Sequence, residues 1–260
     1  MKFACNYSPV LIGLIATGEA PVDYIKAGAF EPFESKLDGM RALRPLLLHG
    51  LGSHERTGMP GYETYDFARA NRLLAAYGSP HLGIHIAITN ADAAPGMDSG
   101  AILRRMSECA RVFMQNIAVP LLLENIGDTP EERNHFDLVP FAEPERIGRL
   151  IRETGAGMLL DIAHAKVSAQ YRKQDVREYL LALPLREVRE IHVSGPDFDE
   201  DGNPYDAHGP MRDEDFALLE WALGRTEPDI VTLEYGWPEA EEDMLRKQLK
   251  MLHSILAERK

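Results

Sequence analysis

The sequence predicts a (β/α)8 TIM barrel, with residues 1–260 forming one domain. Three observations carry the prediction: eight short apolar runs of strand character, helical patterns alternating with them, and ionisable residues at the ends of five of those runs. Alternation of strand and helix calls for parallel strands joined by crossover helices, and eight such repeats at this length match a closed barrel. A chain of 260 residues that is 45% hydrophobic can bury the core such a barrel needs. Nothing in it reads as a linker, an internal repeat or a low-complexity segment.

In chain order, the strands are expected near Lys2 to Tyr7, Val22 to Ala27, Pro45 to His49, Leu82 to Ile88, Pro120 to Glu124, Gly157 to Ile162, Val188 to Val193 and Asp229 to Tyr235. Helical periodicity falls on Tyr65 to Leu74, Ile102 to Asn116, Pro144 to Glu153, Asp175 to Leu183 and Glu214 to Leu223. After Pro238 the chain carries Glu239, Glu241, Glu242 and Asp243, then leucines 245, 249, 252 and 256, then a basic end. Acid first and base last suits the helix dipole, and the leucine spacing gives one apolar stripe, as a final covering helix requires. His253 reads as a surface residue of that helix. Two connections, after Glu124 and after His192, are too long for plain turns. Both follow strand C-terminal tips, the face that carries the active site in such barrels.

Composition narrows the function classes. A formal charge of -13 argues against nucleic acid or an anionic membrane as partner, because polyanions attract basic surfaces. Two distant cysteines, Cys5 and Cys109, make neither a disulfide framework nor a thiolate metal site and fit a reducing cytoplasm. The first residues lack a leader pattern, and no run reaches transmembrane length, so an unprocessed soluble protein is expected.

The polar strand tips are the chemical signal. Apolar runs end in His49, Glu124, Asp161, His192 and Glu234, and His85 lies on strand four. A carboxylate or imidazole at the end of a buried strand is costly unless a cation or hydrogen-bond partner compensates. Parallel strands bring these tips to one mouth, joined by Asp206 and His208 two residues apart on an extended segment, and by His164 in the turn after Asp161. Nitrogen and carboxylate ligands without thiolates suit Fe, Mn or Zn, and this many could hold more than one ion.

Other groups carry less. His81 precedes strand four and is expected at the barrel entrance in a stabilising role, and His54 and His135 read as loop histidines. Lys26, at the tip of strand two, could pair with a ligand carboxylate or with substrate, a plain salt bridge being the first expectation. Gly50-Leu51-Gly52-Ser53 lacks the spacing of a nucleotide loop, and no Gly-x-Ser-x-Gly elbow is present.

The strings LLLENIG around Glu124, GMLLDIAHAKVSA around Asp161, EIHVSG around His192, DAHG around Asp206 and TLEYG around Glu234 resemble the multinuclear non-haem iron-dependent oxidative enzymes. That family, long catalogued as a domain of unknown function, lies within the xylose-isomerase-like barrels. The resemblance runs from about strand three to the end. It implies two or three iron ions, which use dioxygen to modify cysteine or other residues of ribosomally made peptides. Carried over by position, the ligands are His49, His85, Glu124, Asp161, His192, Asp206, His208 and Glu234, with Asn125 orienting ligands or substrate. Two departures stand out: many relatives have asparagine where this chain has His164, here counted among the metal residues, and an acidic residue where it has Lys26. With no appended leader-binding module in view, a peptide substrate is expected to need a separate recognition protein. The rival expectation is a sugar isomerase, epimerase or hydrolase of the same superfamily, using Zn, Mn or Mg to polarise a carbonyl or activate water.

Overall fold

A computed structural model describes residues 1–51, 62–88, 96–129, 141–236 and 240–259. Eight parallel strands form its central sheet: β1 (Lys2–Asn6), β2 (Tyr24–Ala27), β3 (Leu46–Leu48), β4 (Leu82–His85), β5 (Leu121–Glu124), β6 (Gly157–Asp161), β7 (Val188–Val193) and a last strand at Ile230–Leu233. Each lies within the range the sequence predicts. Between β7 and that last strand come two more, β8 (Gly195–Phe198) and β9 (Pro204–Gly209), so the last is β10. The order around the sheet is β3-β2-β1-β10-β7-β6-β5-β4. An isolated parallel bridge, His49 to Gly83, joins its two ends.

The helices fill the crossovers: α1 (Pro9–Ala16), α2 (Leu37–Leu43), α3 (Phe67–Tyr77), α4 (Ser99–Asn116), α5 (Pro144–Thr154), α6 (Ile162–Tyr171), α7 (Val176–Ala182), α8 (Asp213–Leu223) and α9 (Glu242–Ala257). Their starts follow capping chemistry. Ser8 accepts from the Leu11 amide ahead of Pro9, Asp66 from Arg69 and Asp98 from Ala101, each oxygen satisfying an amide that the first turn leaves open. Helices α3 and α5 stop at Gly78 and Gly155, whose positive φ of 75° and 78° makes the left-handed exit a side chain would resist.

Strand parity divides the residues between two environments. Outward positions such as Phe3, Cys5, Ile25, Leu46, Leu48, Ile84, Leu123, Leu160, Ile191, Val231 and Leu233 join the main core against the helices. Inside the barrel a small apolar plug of Ala4, Leu47, Ile230 and Tyr24 fills its lower part. Above it the inward side chains turn polar. Burial on both faces is what makes the strands read as apolar runs broken mainly where an inward residue is ionisable, the exposed Arg189 near the start of β7 being an exception.

Two local expectations need correction. The connection after His192 is no structureless loop: β8 and β9 pair antiparallel, Gly195 opposite Gly209 and Phe198 opposite Pro204. His164 belongs to the first turn of α6, which starts directly at the end of β6 because Asp161 caps it. Residues 130–140, 52–61 and 89–95 lie outside the description, and with them His54, His135, Gly52 and Ser53.

Candidate metal centre at the barrel mouth

The C-terminal strand ends deliver two groups of donor atoms. His49, His85 and Glu124 make the first, and Glu124, Asp161, His192 and Glu234 the second; within each, the donor atoms lie within 4.8 Å of one another. Glu124 belongs to both. Its Oε2 sits 3.1 Å from His49 Nε2 and 3.2 Å from His85 Nε2, while its Oε1 sits 3.3 Å from His192 Nδ1. His192 Nδ1 is also 3.3 Å from Glu234 Oε2. Separations of this size arise when ligands surround one ion at about 2.1 Å.

A third patch comes from α6 and β9. His164 Nε2 is 3.4 Å from Asp206 Oδ2, and His208 Nε2 is 2.8 Å from the same oxygen. Ser194 Oγ donates to Asp206 Oδ1 at 3.0 Å, which fixes the carboxylate's orientation. Asp161 connects this patch to the second group: its Oδ1 accepts the His164 amide at 2.6 Å and caps α6, leaving Oδ2 toward the interior. Asn125 secures that arrangement from the end of β5, with Nδ2 donating to the Asp161 carbonyl and Oδ1 accepting from the Asp161 amide, both at 2.9 Å. Its backbone carbonyl accepts from His164 Nδ1 at 2.8 Å, so the His164 proton sits on Nδ1 and Nε2 faces the cavity.

Lys26 is buried, and its ammonium bonds Glu234 Oε1, as the sequence expectation of a salt bridge had it. It also lies 3.4 Å from His192 Nδ1. The mouth cavity, about 280 Å3, is walled on its other side by Asn6, Tyr7, Phe30 and Phe33. The aromatic rings meet edge to face, Phe30 with Phe33 at 5.3 Å and Tyr7 with Phe33 at 6.0 Å.

The electrostatics sort the imidazoles into two kinds. Burial, aided by Lys26, holds His49 below the usual histidine value, and burial pushes His85 down to about 4, so both present neutral rings. Burial opposes charge on His164, His192 and His208 as well, but neighbouring carboxylates outweigh it: Asp161 and Asp206 raise His164 strongly, Glu234 and Glu190 raise His192 strongly, and Asp206 with Glu234 brings His208 to about 9. Burial, with Asp206, Glu234 and Glu124 nearby, lifts Asp161 to about 7. A cation in the cup would favour the ionised carboxylates and replace the imidazole protons.

The donor set fits metal ions on a further observation. His49 Nδ1, Glu124 Oε2 and Asp161 Oδ2 are buried and make no hydrogen bond. Buried polar atoms are nearly always satisfied; His49 Nδ1 lies against Gly83 in the barrel wall, but Glu124 Oε2 and Asp161 Oδ2 share the mouth, where a bound cation would satisfy both. All nine residues expected as ligands are therefore gathered at one mouth, in two donor groups and an adjoining patch. Glu190, Thr232 and Ser194 escaped the sequence reading, as did the wall residues Asn6, Tyr7, Phe30 and Phe33. Glu190 was legible in principle, since it stands two residues before His192 on the same strand and so shares its inward face. His253 is exposed on α9, as expected.

A family model described as "RiPP precursor modification enzyme MbnB/TglH/ChrH" matches residues 20–257. The chain belongs to this family. The MbnB/TglH/ChrH match starts well before strand three, so the matched region takes in β2, farther toward the N-terminus than the quoted motifs reach. Among relatives, a UPF0276 protein of Bordetella pertussis is 29% identical over 224 residues, covering 78% of this chain and 72% of its own. A UPF0276 protein of Caulobacter vibrioides is 30% identical over 211 residues, covering 76% and 71%. The barrel resembles an IOLI protein solved with a binding zinc atom (TM-score 0.65, 14% identity, 99% of each chain). It also resembles a D-tagatose 3-epimerase-like protein (TM-score 0.63, 13% identity, all of each chain). The fold of this MbnB/TglH/ChrH member is thus a xylose-isomerase-like TIM barrel. Among the described residues no helix is long and apolar enough to cross a membrane.

Proposed function

We propose that the protein is a multinuclear non-haem iron enzyme that uses dioxygen to modify a peptide or another small thiol-containing substrate. The observation that carries the reading is Glu124, shared between two donor groups in a chain of the MbnB/TglH/ChrH family. His49, His85 and Glu124 would hold one ion, and Glu124, Asp161, His192 and Glu234 a second. His164, Asp206 and His208 would complete the second or hold a third. The family description supports a ribosomally made precursor peptide as substrate; recognition of that peptide by a separate protein is part of the proposal.

Bound iron would supply the one-electron and dioxygen chemistry that no side chain offers. The chain's own residues do the rest. His49 and His85 stay neutral and so offer lone pairs without first losing a proton. Asn125 keeps Asp161 and His164 in register, and Lys26 occupies one Glu234 oxygen, directing the other toward His192. Tyr7, Phe30 and Phe33 give the cavity an apolar wall that excludes water and can hold a substrate side chain opposite the donors.

Elemental analysis of protein purified without added metal is expected to give roughly two or more iron ions per chain, as a multinuclear site requires. Iron(II) reconstitution without air, followed by oxygen and a cysteine-bearing peptide, is expected to change the peptide's mass with oxygen uptake. Protein that holds Zn, Mn or Mg and never consumes oxygen overturns the proposal and favours the sugar isomerase, epimerase or hydrolase reading.

A further inference from the structure

Below the metal cup a second polar layer crosses the barrel interior. Glu190 on β7 is 1% exposed and His192 fully buried. His192 Nε2 lies 3.1 Å from Glu190 Oε1, and Thr232 Oγ1 on β10 donates to the same oxygen at 2.5 Å. The other oxygen, Glu190 Oε2, lies 2.5 Å from Nε2 of His81, at the entrance of β4. A carboxylate this deep is tolerated only when its oxygens receive donors, and here three side chains from three places around the barrel supply them.

We infer that Glu190 is a positioning residue for the proposed metal centre: it fixes the His192 tautomer and ring angle so that Nδ1 is the bare ligand nitrogen. Carboxylate oxygens face both ring nitrogens, but those at Nδ1, from Glu124 and Glu234, belong to the donor group, where a bound ion would take the place of the Nδ1 proton. Glu190 lies outside that group, 3.1 Å from Nε2, and keeps a proton there. Nδ1 then faces Glu124 Oε1 and Glu234 Oε2, each 3.3 Å away, the carboxylate oxygens that would share an ion with it. Thr232 and His81 act one step further out by holding Glu190. His81 also lines a cavity at the strand N-termini with Tyr24 and Arg189, so the layer ties the bottom of the barrel to its mouth. The assignment rests on the metal reading, and it gives His81 a role beyond the stabilising one its position foretells.

The test is Zn(II) binding by the full-length protein, stripped of metal and titrated against a chelator. Glu190→Gln keeps the shape but lets the amide present either a donor or an acceptor to Nε2. It is expected to weaken Zn(II) by ~10–100-fold, the usual effect of removing an outer partner of a ligating histidine. Thr232→Val, a smaller change that keeps the barrel intact, is expected to weaken it less and to add nothing in the Glu190→Gln background, because the two act through one group. Nitrogen-15 NMR of the Zn(II)-loaded protein is expected to show His192 protonated at Nε2 and coordinated at Nδ1, with that signature lost in Glu190→Gln. Additive losses, wild-type affinity in Glu190→Gln, or zinc on Nε2 overturn the inference while leaving the metal reading in place. A wild-type protein that binds neither Zn(II) nor iron removes both.

Discussion

Lys26 carries its charge into the barrel interior, where Glu234 is its ion-pair partner. Removing one member of a buried pair leaves the other uncompensated, which costs about 3–5 kcal/mol. Lys26→Met is therefore expected to lower the melting temperature of the metal-free protein markedly, and added metal should recover part of the loss by taking over Glu234. Equal destabilisation with and without metal would show that Glu234 does not face the ion. His208 gives the pH prediction. Its value in the folded, metal-free protein is raised to about 9, so protonation stabilises the fold fully below the unfolded value near 6.5, and that contribution is lost as pH rises through about 9. Metal must displace the same proton, so Zn(II) affinity should rise over the interval in which metal-free stability falls. Thermal melts and Zn(II) titrations of wild type and His208→Gln from about pH 6 to about pH 9.5 check both signs, the variant losing the share of each slope that His208 adds to those of His164 and His192.

Among the elements, β4 shows how closely backbone and site are fitted. A Cβ at Gly83 would come within 2.8 Å of His49 Nδ1 and 2.9 Å of Leu159 Cδ1, so the glycine makes room for the His49 ring. Gly83→Ala is expected to cost about 1–3 kcal/mol by overpacking and to displace His49. Its Zn(II) affinity should fall by about tenfold or more, as when a ligand loses its support; a melt and a titration of one sample separate the two effects. Elements also show where the sequence was readable. The strands stood out because burial on both faces makes them apolar runs, and the polar breaks at their C-terminal tips marked inward residues at the mouth. The hairpin β8–β9 escaped because its segment, DFDEDGNPYDAHG from Asp197, has no apolar alternation: one end lies over the site and the other is exposed. Helix α6 escaped because it is buried almost all round, which removes the amphipathic stripe by which helices are recognised.

The whole barrel decides which donors meet. Chain order alone could not say that His49, near residue 50, and Glu234, near the other end, share a cup; the parallel closed order does. Parity with His192 marked Glu190 as inward, but its partners, His81 from one side and Thr232 from another, are supplied only by the barrel. The seam adds a consequence of its own. Every other neighbouring pair of strands in the central sheet is joined by a ladder of three or four registered residues, whereas β3 and β4 meet, among the described residues, through the single bridge from His49 to Gly83. The first donor group straddles that junction, with His49 on one side and His85 on the other. An ion held there would act as a rivet across the junction, reinforcing the one place where the hydrogen-bonded ladder is thinnest.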